Sequence, residues 1–443
     1  MIYVKDIVNI CKGKLVCGDE NILCKSFSKD TRTINKGDVY VGIKGEVFDG
    51  NTFYKEAIDK GAVVCIIDNE EVLDKKYKKN ETIILVDNSV EAILKLAKYK
   101  RSLYDIPVVA VTGSVGKTSV KDMITKVLSS KYDVLATKGN MNNNIGLPLT
   151  ILNLDKENAM VLEMGMNHAG ELHILSNVAC PDIAVITNIG TAHIGNLGSR
   201  ENILKAKLEI LDGMHHGTLI INNDNDMLRT VKYDNLITIG IDNDSDYMAH
   251  DIMDYGSYSK FAILDNYLTV PVGSIAFVYN ALFAYAVGRK LGISEKAIEE
   301  SLKEFSLSPH RLEIIKRKKY TIIDDTYNAS LDSVKNALSI LSKMDGRKVF
   351  IFADILELQE YAKDIHEEIG KLCNEYGVDL LLTVGSLARD TFNKFNGNKK
   401  HFNNNDNLLR DINKLILDGD TILVKGSHAM NLIKVVNYLA REE

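Results

Sequence analysis

The stretch that decides the fold is Val108-Val109-Ala110-Val111-Thr112-Gly113-Ser114-Val115-Gly116-Lys117-Thr118-Ser119. Small and β-branched apolar residues run into a loop punctuated by Gly113 and Gly116 and closed by Lys117-Thr118. Val120 to Leu128 then carry a helical pattern. Strand, glycine loop, lysine–hydroxyl pair and helix is the arrangement that grips nucleotide phosphates. The loop's N–H groups and the helix start offer positive partial charge to a polyphosphate. Gly113, Ser114, Val115, Gly116, Lys117, Thr118 and Ser119 are therefore the candidate nucleotide contacts, with Lys117 reaching the terminal phosphates and the Thr118 hydroxyl holding a magnesium ion. A Walker A loop would need glycine at position 111, where valine stands; the spacing here is Gly-x-x-Gly-Lys-Thr-Ser. The bland alternative is a glycine turn with no ligand.

Outward from this loop, the 443 residues suggest roughly three domains. The chain is 45% hydrophobic and 26% charged, an ordinary globular balance. A net charge of −6, with both signs interspersed, gives no reason to expect nucleic acid. The cysteines Cys11, Cys17, Cys24, Cys65, Cys180 and Cys373 form no Cys-x-x-Cys pair and read as buried thiols in a reducing cytosol. The start of the chain lacks a signal-peptide pattern, and no apolar run approaches a membrane span. These features predict a cytoplasmic protein without membrane insertion, and nothing demands more than a monomer.

Residues 1–103 read as a small α/β domain, with strands near 39–43, 62–67 and 82–86 and helices at 54–60 and 89–102. Its turns Asp30-Thr31-Arg32 and Lys44 to Gly50 are ligand candidates or simply solvated turns. Residues 104–310 open on the phosphate loop, with further strand candidates at 133–136, 159–163, 183–188 and 218–222. Several are almost wholly apolar, as strands covered on both faces should be, which predicts a doubly wound, mostly parallel sheet. Ligands then gather beyond the carboxyl ends of the strands. Residues 311–443 alternate strands at 320–324, 348–352, 379–384 and 421–424 with helices, a Rossmann-like α/β domain without a phosphate loop. Asn393 to Asn407 reads as a surface loop.

Glu163 ends one strand, and His193 follows another through a glycine-bearing loop. Glu suits magnesium; histidine is a less usual ligand, and a satisfied loop histidine is the alternative. On a helix from about 200 to 214, Ile203, Ala206, Ile210, Leu211 and Met214 share one face, with Lys207 at its centre. A lysine there is costly unless paired, neutralised or chemically altered. It either snorkels or is carbamylated, becoming an anion able to support a cation site. Asp324 and Asp325 end a strand and can serve acid–base work, a metal, a ribose or the cap of the helix at 331–341. Arg311 is either a linker charge or a group that neutralises a transferring phosphoryl.

The chain resembles a Mur ligase over essentially its whole length. The resemblance rests on Asp30-Thr31-Arg32 with Phe48-Asp49-Gly50, on Thr112 to Ser119, and on Gly139 to Pro148. It continues through Glu163 to Asn167, Thr187 to His193, Ala206 to Ile210, His310 to Glu313 and Asp324 to Ala329. It implies three α/β domains and an ATP- and magnesium-dependent amide ligase that adds D-alanyl-D-alanine to UDP-N-acetylmuramoyl-tripeptide through an acyl phosphate. By the same resemblance Lys117, Lys207, His193 and Arg311 are catalytic, and Lys207 is the carbamylated lysine. Thr118, Glu163 and His193 fall at metal positions. Asn280 falls at an adenine contact, Arg311 at a phosphate contact and Asp325 at a ribose contact. Asp30, Thr31, Arg32, Gly45, Asn142, Asn143, Tyr327 and Asn328 are expected to meet the substrates. The first domain would take the UDP end, the second ATP and the third D-alanyl-D-alanine.

The departures from the family pattern lie late in the chain. The adenine motif His-Asn-x-x-Asn-Ala-Leu reads Ala276-Phe277-Val278-Tyr279-Asn280-Ala281-Leu282. Tyr-Asn-Ala-Asn-Pro reads Tyr327-Asn328-Ala329-Ser330-Leu331, and Lys-Gly-Ser-Arg reads Lys425-Gly426-Ser427-His428. Gly-Asp-Met-x-Glu-Leu-Gly reads Ala353-Asp354-Ile355-Leu356-Glu357-Leu358-Gln359. A divergent ligase with another amine substrate, or a nucleotide-gated binding protein that has lost ligation, are the alternatives this erosion leaves.

Overall fold

The computed structural model describes residues 2–74 and 81–441. They form an α/β protein whose contacts divide it into two compact units that interleave along the chain. The first takes Met1–Thr112, Lys131–Ala184 and Leu208–Thr218; the second takes Gly113–Ser130, Val185–Lys207 and Leu219–Glu443.

In the first unit a five-stranded sheet runs in the order Lys14–Cys17, Ile83–Leu85, Val64–Ile67, Val39–Val41, Phe27–Ser28. It is parallel except at the Lys14–Cys17 edge. The central strand Val64–Ile67 is buried at every position, which is why it reads as an unbroken apolar run. The helix Ser89–Ser102 starts where the Asn88 side chain accepts the Glu91 N–H, and it buries Ala92, Ile93, Leu96 and Ala97. The same unit holds a parallel trio in which Ala159–Glu163 lies between Val134–Ala136 and the phosphate-loop strand Val108–Thr112. Val108–Thr112 and Ala159–Glu163 are wholly buried, so both deliver their last residues to one sheet edge.

In the second unit the loop from Gly113 feeds the helix Lys117–Leu128. The helix Ile275–Lys290 packs against it. That helix buries eleven of its residues on all sides, so it has no polar face to read. Thr218–Asn222 pairs in parallel with Leu236–Gly240, which pairs in parallel with the end of Tyr247–Asp254. The sheet then turns antiparallel through Ser259–Ile263 and Asn266–Val270, an excursion the sequence pattern does not announce. A six-stranded sheet follows, in the order Glu313–Lys316, Thr321–Asp325, Thr421–Lys425, Lys348–Ala353, Leu380–Val384, Asn398–Phe402. Only its Glu313–Lys316 edge is antiparallel. Its core gathers Ile322, Val349, Ile351, Leu382 and Ile422 with Val435 and Leu439 of the last helix.

Three expectations need correction. The asparagine-rich stretch contains the edge strand Asn398–Phe402 and the helix Asn405–Asp411 rather than a plain loop. Its strand is held by pairing with Leu380–Val384 and by a Thr383–His401 hydrogen bond of 2.9 Å. The helix expected over 200–214 is α-helical over Arg200–Leu208 and tightens to a 3-10 turn at Glu209–Leu211, so Leu211 and Met214 are only partly buried. Cys17 and Cys180 are half-buried, while the other four thiols are buried as expected. No helix among the described residues is long and apolar enough to cross a membrane.

Candidate active site

The phosphate loop is shaped by the segment that follows the strand Ile183–Ile186. Ser114 N–H donates to the Asn188 carbonyl at 3.0 Å, and Val115 N–H donates to Asn188 Oδ1 at 2.9 Å. Thr187 Oγ1 donates to the Val115 carbonyl at 2.6 Å, and Gly190 N–H donates to Ser114 Oγ at 2.9 Å. Gly113 sits at φ +148°, and a Cβ there would stand 1.8 Å from Thr187 Oγ1, so no other residue fits this approach. The helix begins at Gly116, which has no side chain to cap it. The N-terminal end of a helix carries positive partial charge and suits an anion. Lys117 Nζ donates to the Gly113 carbonyl at 2.7 Å, which lays the cation along the loop. Thr118 is buried directly behind it in sequence, and Asn280 Oδ1 stands beside Gly116.

Lys207, in the second unit, is a lysine held away from solvent. Its side chain is 1% exposed, and Ile203, Ala206 and Ile210 are buried with it. Burial pushes its amine well below the ordinary lysine value, and the positive Lys117 lowers it further. An amine buried to this degree does not snorkel to solvent.

The loop after Asn188 carries His193 in a left-handed conformation, φ +64°. Its Nδ1 is buried without a hydrogen-bond partner, although Glu357 Oε2 lies 3.3 Å away. The neighbouring imidazole holds the Glu357 carboxyl below its usual value. Thr191 Oγ1 on the same loop is likewise buried and unpartnered. Thr191 N–H donates to Asp332 at 3.2 Å.

The paired acids have different partners. Asp325 binds the buried Lys425 at 2.5 Å, and Lys425 also donates to the Asn328 carbonyl at 2.9 Å. Asp324 accepts from Thr326 and meets His310 Nδ1 at 2.7 Å. Neither caps the next helix: Ser330 does, by accepting the Ser333 N–H. Arg311 stacks its guanidinium 3.8 Å from the Tyr327 ring centre, and the His428 ring lies 5.9 Å from the same ring. Arg311, Tyr327, Asn328 and Asp325 are thus brought together.

In the first unit Glu163 is buried at its strand end and accepts from Asn142 Nδ2 at 2.7 Å. Asn143 Oδ1 turns the chain by accepting Ile145 and Gly146 N–H groups, and Asn144 Oδ1 is buried without a partner. Asp30 receives a fork from Arg32, with contacts of 2.9 and 2.6 Å, which holds its carboxyl down at about 2. Thr31 donates to Glu56 at 2.9 Å. Gly45 N–H donates to the Phe48 carbonyl in a turn whose tip, Val47 and Phe48, is exposed.

Sequence reasoning assigned no role to Asn188, Asp332 or Lys425. Asn188 and Lys425 stood in quoted motifs at strand ends, which is the signal that points to them. Asp332 carries no such signal, because its contact is made across 141 residues of chain.

Residues 26–101 match the Mur ligase family catalytic domain, 111–288 the Mur ligase middle domain, and 310–428 the Mur ligase glutamate ligase domain. A UDP-N-acetylmuramoyl-tripeptide–D-alanyl-D-alanine ligase of Bacillus subtilis is 35% identical over 98% of both chains. The Escherichia coli ligase of that name is 31% identical over 99% of this chain and 98% of its own. Among solved structures, MurF from Acinetobacter baumannii superposes with a TM-score of 0.90 at 28% identity, covering 99% of each chain. The MurF ligase of Thermotoga maritima in complex with ADP gives 0.84 at 29% identity, covering 96% of this chain and 99% of its own.

Proposed function

Because the chain belongs to the Mur ligase family, we propose that it is the ATP-dependent ligase that joins D-alanyl-D-alanine to UDP-N-acetylmuramoyl-tripeptide. The product is a peptidoglycan precursor, made in the cytoplasm where ATP and the UDP-linked acid are found. The observation that carries this reading is the full-length likeness to curated ligases of that activity, with the phosphate loop intact.

The tripeptide's terminal carboxylate attacks the γ-phosphorus of ATP. An acyl phosphate forms and ADP leaves. The free amine of D-alanyl-D-alanine attacks the acyl carbon, and the tetrahedral adduct expels phosphate as the amide forms. Lys117 and the loop N–H groups of residues 113–119 hold the transferring phosphoryl and its developing charge. Arg311 serves the phosphates, Asn280 the adenine and Asp325 the ribose. Asp30, Thr31, Arg32, Gly45, Asn142 and Asn143 meet the UDP-linked substrate, and Tyr327 and Asn328 the dipeptide side. The domain division at 103/104 and 310/311 follows, supported by the spans of the three family matches.

Thr118 and Glu163 each carry an oxygen of the kind a hard cation takes. Thr118 offers a hydroxyl, Glu163 a carboxylate, and His193 a buried nitrogen without a partner. We assign these three to magnesium, which when bound neutralises phosphate charge. Lys207 is assigned as a carbamate. Its support is the depressed amine, since a neutral amine is the form that adds carbon dioxide.

The test is phosphate release from ATP by the purified protein. Release that needs both UDP-N-acetylmuramoyl-tripeptide and D-alanyl-D-alanine is expected. Release with the nucleotide sugar and another amine, but not this one, would change the substrate. No release with any amine would sink the ligase reading.

A further inference from the structure

The turn after the strand Lys348–Ala353 carries two residues in left-handed backbone, Glu357 at φ +68° and Gln359 at φ +48°. That region favours glycine, which has no Cβ, and tolerates asparagine better than most other residues. The family pattern has glycine at the second of these positions, where this chain has Gln359. A long side chain retained at such a site needs a compensating contact. Gln359 has one: its Nε2 donates to Asn196 Oδ1 at 3.0 Å. Tyr361 OH donates to the Gly198 carbonyl at 2.8 Å, and Glu357 Oε2 stands 3.3 Å from His193 Nδ1. The approach is close enough that a Cβ on Gly195 would lie 2.7 Å from the Glu357 carbonyl. Three side chains of one turn thus meet one short segment, His193 to Gly198, whose middle is the one-turn helix Ile194–Leu197. At its other end that loop continues into Gly190, Asn188 and Thr187, which shape the phosphate loop.

We propose that Gln359 is a positioning residue: its hydrogen bond to Asn196 clasps the 193–198 loop against the 357–361 turn and so fixes where His193 is presented during phosphoryl transfer. The proposal rests on the ligase reading for its kinetic consequence, but the clasp itself does not. Gln359 touches neither reacting group. It acts through the loop, so its removal moves turnover more than nucleotide binding, because the Asn188 and Thr187 contacts are left in place.

The experiment compares Gln359→Gly, Gln359→Ala and Asn196→Ala with the wild type. Gln359→Gly removes the contact and also relieves the left-handed backbone, so its melting temperature is expected not to fall. Its kcat is expected to fall about fivefold, the worth of one ordinary hydrogen bond, with the KM for ATP unchanged. Asn196→Ala should show the same loss, and the double variant no further loss. Without substrates, amide exchange over residues 193–198 should quicken by a similar factor in each variant. Gln359→Ala and Asn196→Ala both keep the strain and lose the contact, so these two should also melt lower. Wild-type exchange and wild-type kcat in Gln359→Gly would overturn the proposal, as would additive losses in the double variant. If the wild type releases no phosphate, the ligase reading fails and the exchange data alone decide the clasp.

Discussion

Two loops leave buried parallel strands in this molecule and solve the same steric problem in opposite ways. After Val108–Thr112 the chain turns through Gly113 and Gly116, both at positive φ. After Lys348–Ala353 it turns through Glu357 and Gln359, also at positive φ. Glycine frees the backbone, so the first loop presents N–H groups and lets Thr187 and Asn188 press against it. The second accepts backbone strain, and its side chains reach another loop. The difference shows where the backbone is the working surface and where the side chains are.

The largest expected effect concerns the lysine of the first loop. Lys117→Ala should lower turnover about a thousandfold, the scale seen when a preorganised stabiliser of transition-state charge is removed. The Ala variant loses the bonds from Lys117 Nζ to the Gly113 and Ser114 carbonyls, so its melting temperature is measured beside its turnover. A variant that keeps a tenth of its turnover would show that the N–H groups alone carry the phosphate.

Lys207→Met asks how the amine nearest in charge to Lys117 affects stability. The folded value of Lys207 lies well below the ordinary 10.5, so the unfolded chain binds a proton that the folded one does not. Stability therefore rises with pH between the lowered value and about 10.5, is full above it, and is lost as pH falls. In carbonate-free buffer the wild type should gain stability from pH 7 to 10, and the Met variant should show a flatter curve. Adding bicarbonate should stabilise the wild type alone, because a carbamate would face the Lys117 cation. Equal pH slopes in urea titrations would mean that Lys207 is charged in the folded protein.

Gly113→Ala tests the first loop's backbone directly. A Cβ would meet Thr187 Oγ1, so a loss of about 1–3 kcal/mol is expected in urea unfolding, together with weakened ATP binding. Thr187→Ala in the same chain should recover part of that loss by removing the colliding atom. No recovery would place the strain in φ alone.

Much of this contrast is readable in the sequence, but unevenly. Val108 to Thr112 and Ala159 to Glu163 are apolar runs covered on both faces, so strand and sheet edge could be read together. Lys207 was legible because helical spacing fixes a face without knowledge of the partner. Asn398–Phe402 was hidden: Asn398 and Lys400 are exposed, Lys399 and His401 are half-buried, and only Phe402 is buried. The antiparallel run from Tyr247 to Val270 was missed because its strands mix exposed and buried residues irregularly, with a shift of register between His250 and Met253. Asp332 and Gln359 act across long stretches of chain, and no local pattern encodes such a contact.

The smallest effect belongs to the second loop and decides whether the contrast is real. Glu357→Gly should relieve left-handed strain worth roughly 1–2 kcal/mol. Glycine also widens the unfolded ensemble, which costs about 0.4–1 kcal/mol. Losing a half-exposed carboxylate beside an imidazole subtracts a few tenths more, because solvent screens such a pair. The net change in urea unfolding should therefore lie within about 1 kcal/mol of zero. Asn, which tolerates the left-handed region, should fall between Glu and Gly. A destabilisation well beyond that range would mean that Glu357 holds its turn in place through His193. The second loop would then be a structural brace like the first loop's glycines, and the division between backbone and side-chain surfaces would fail at this residue.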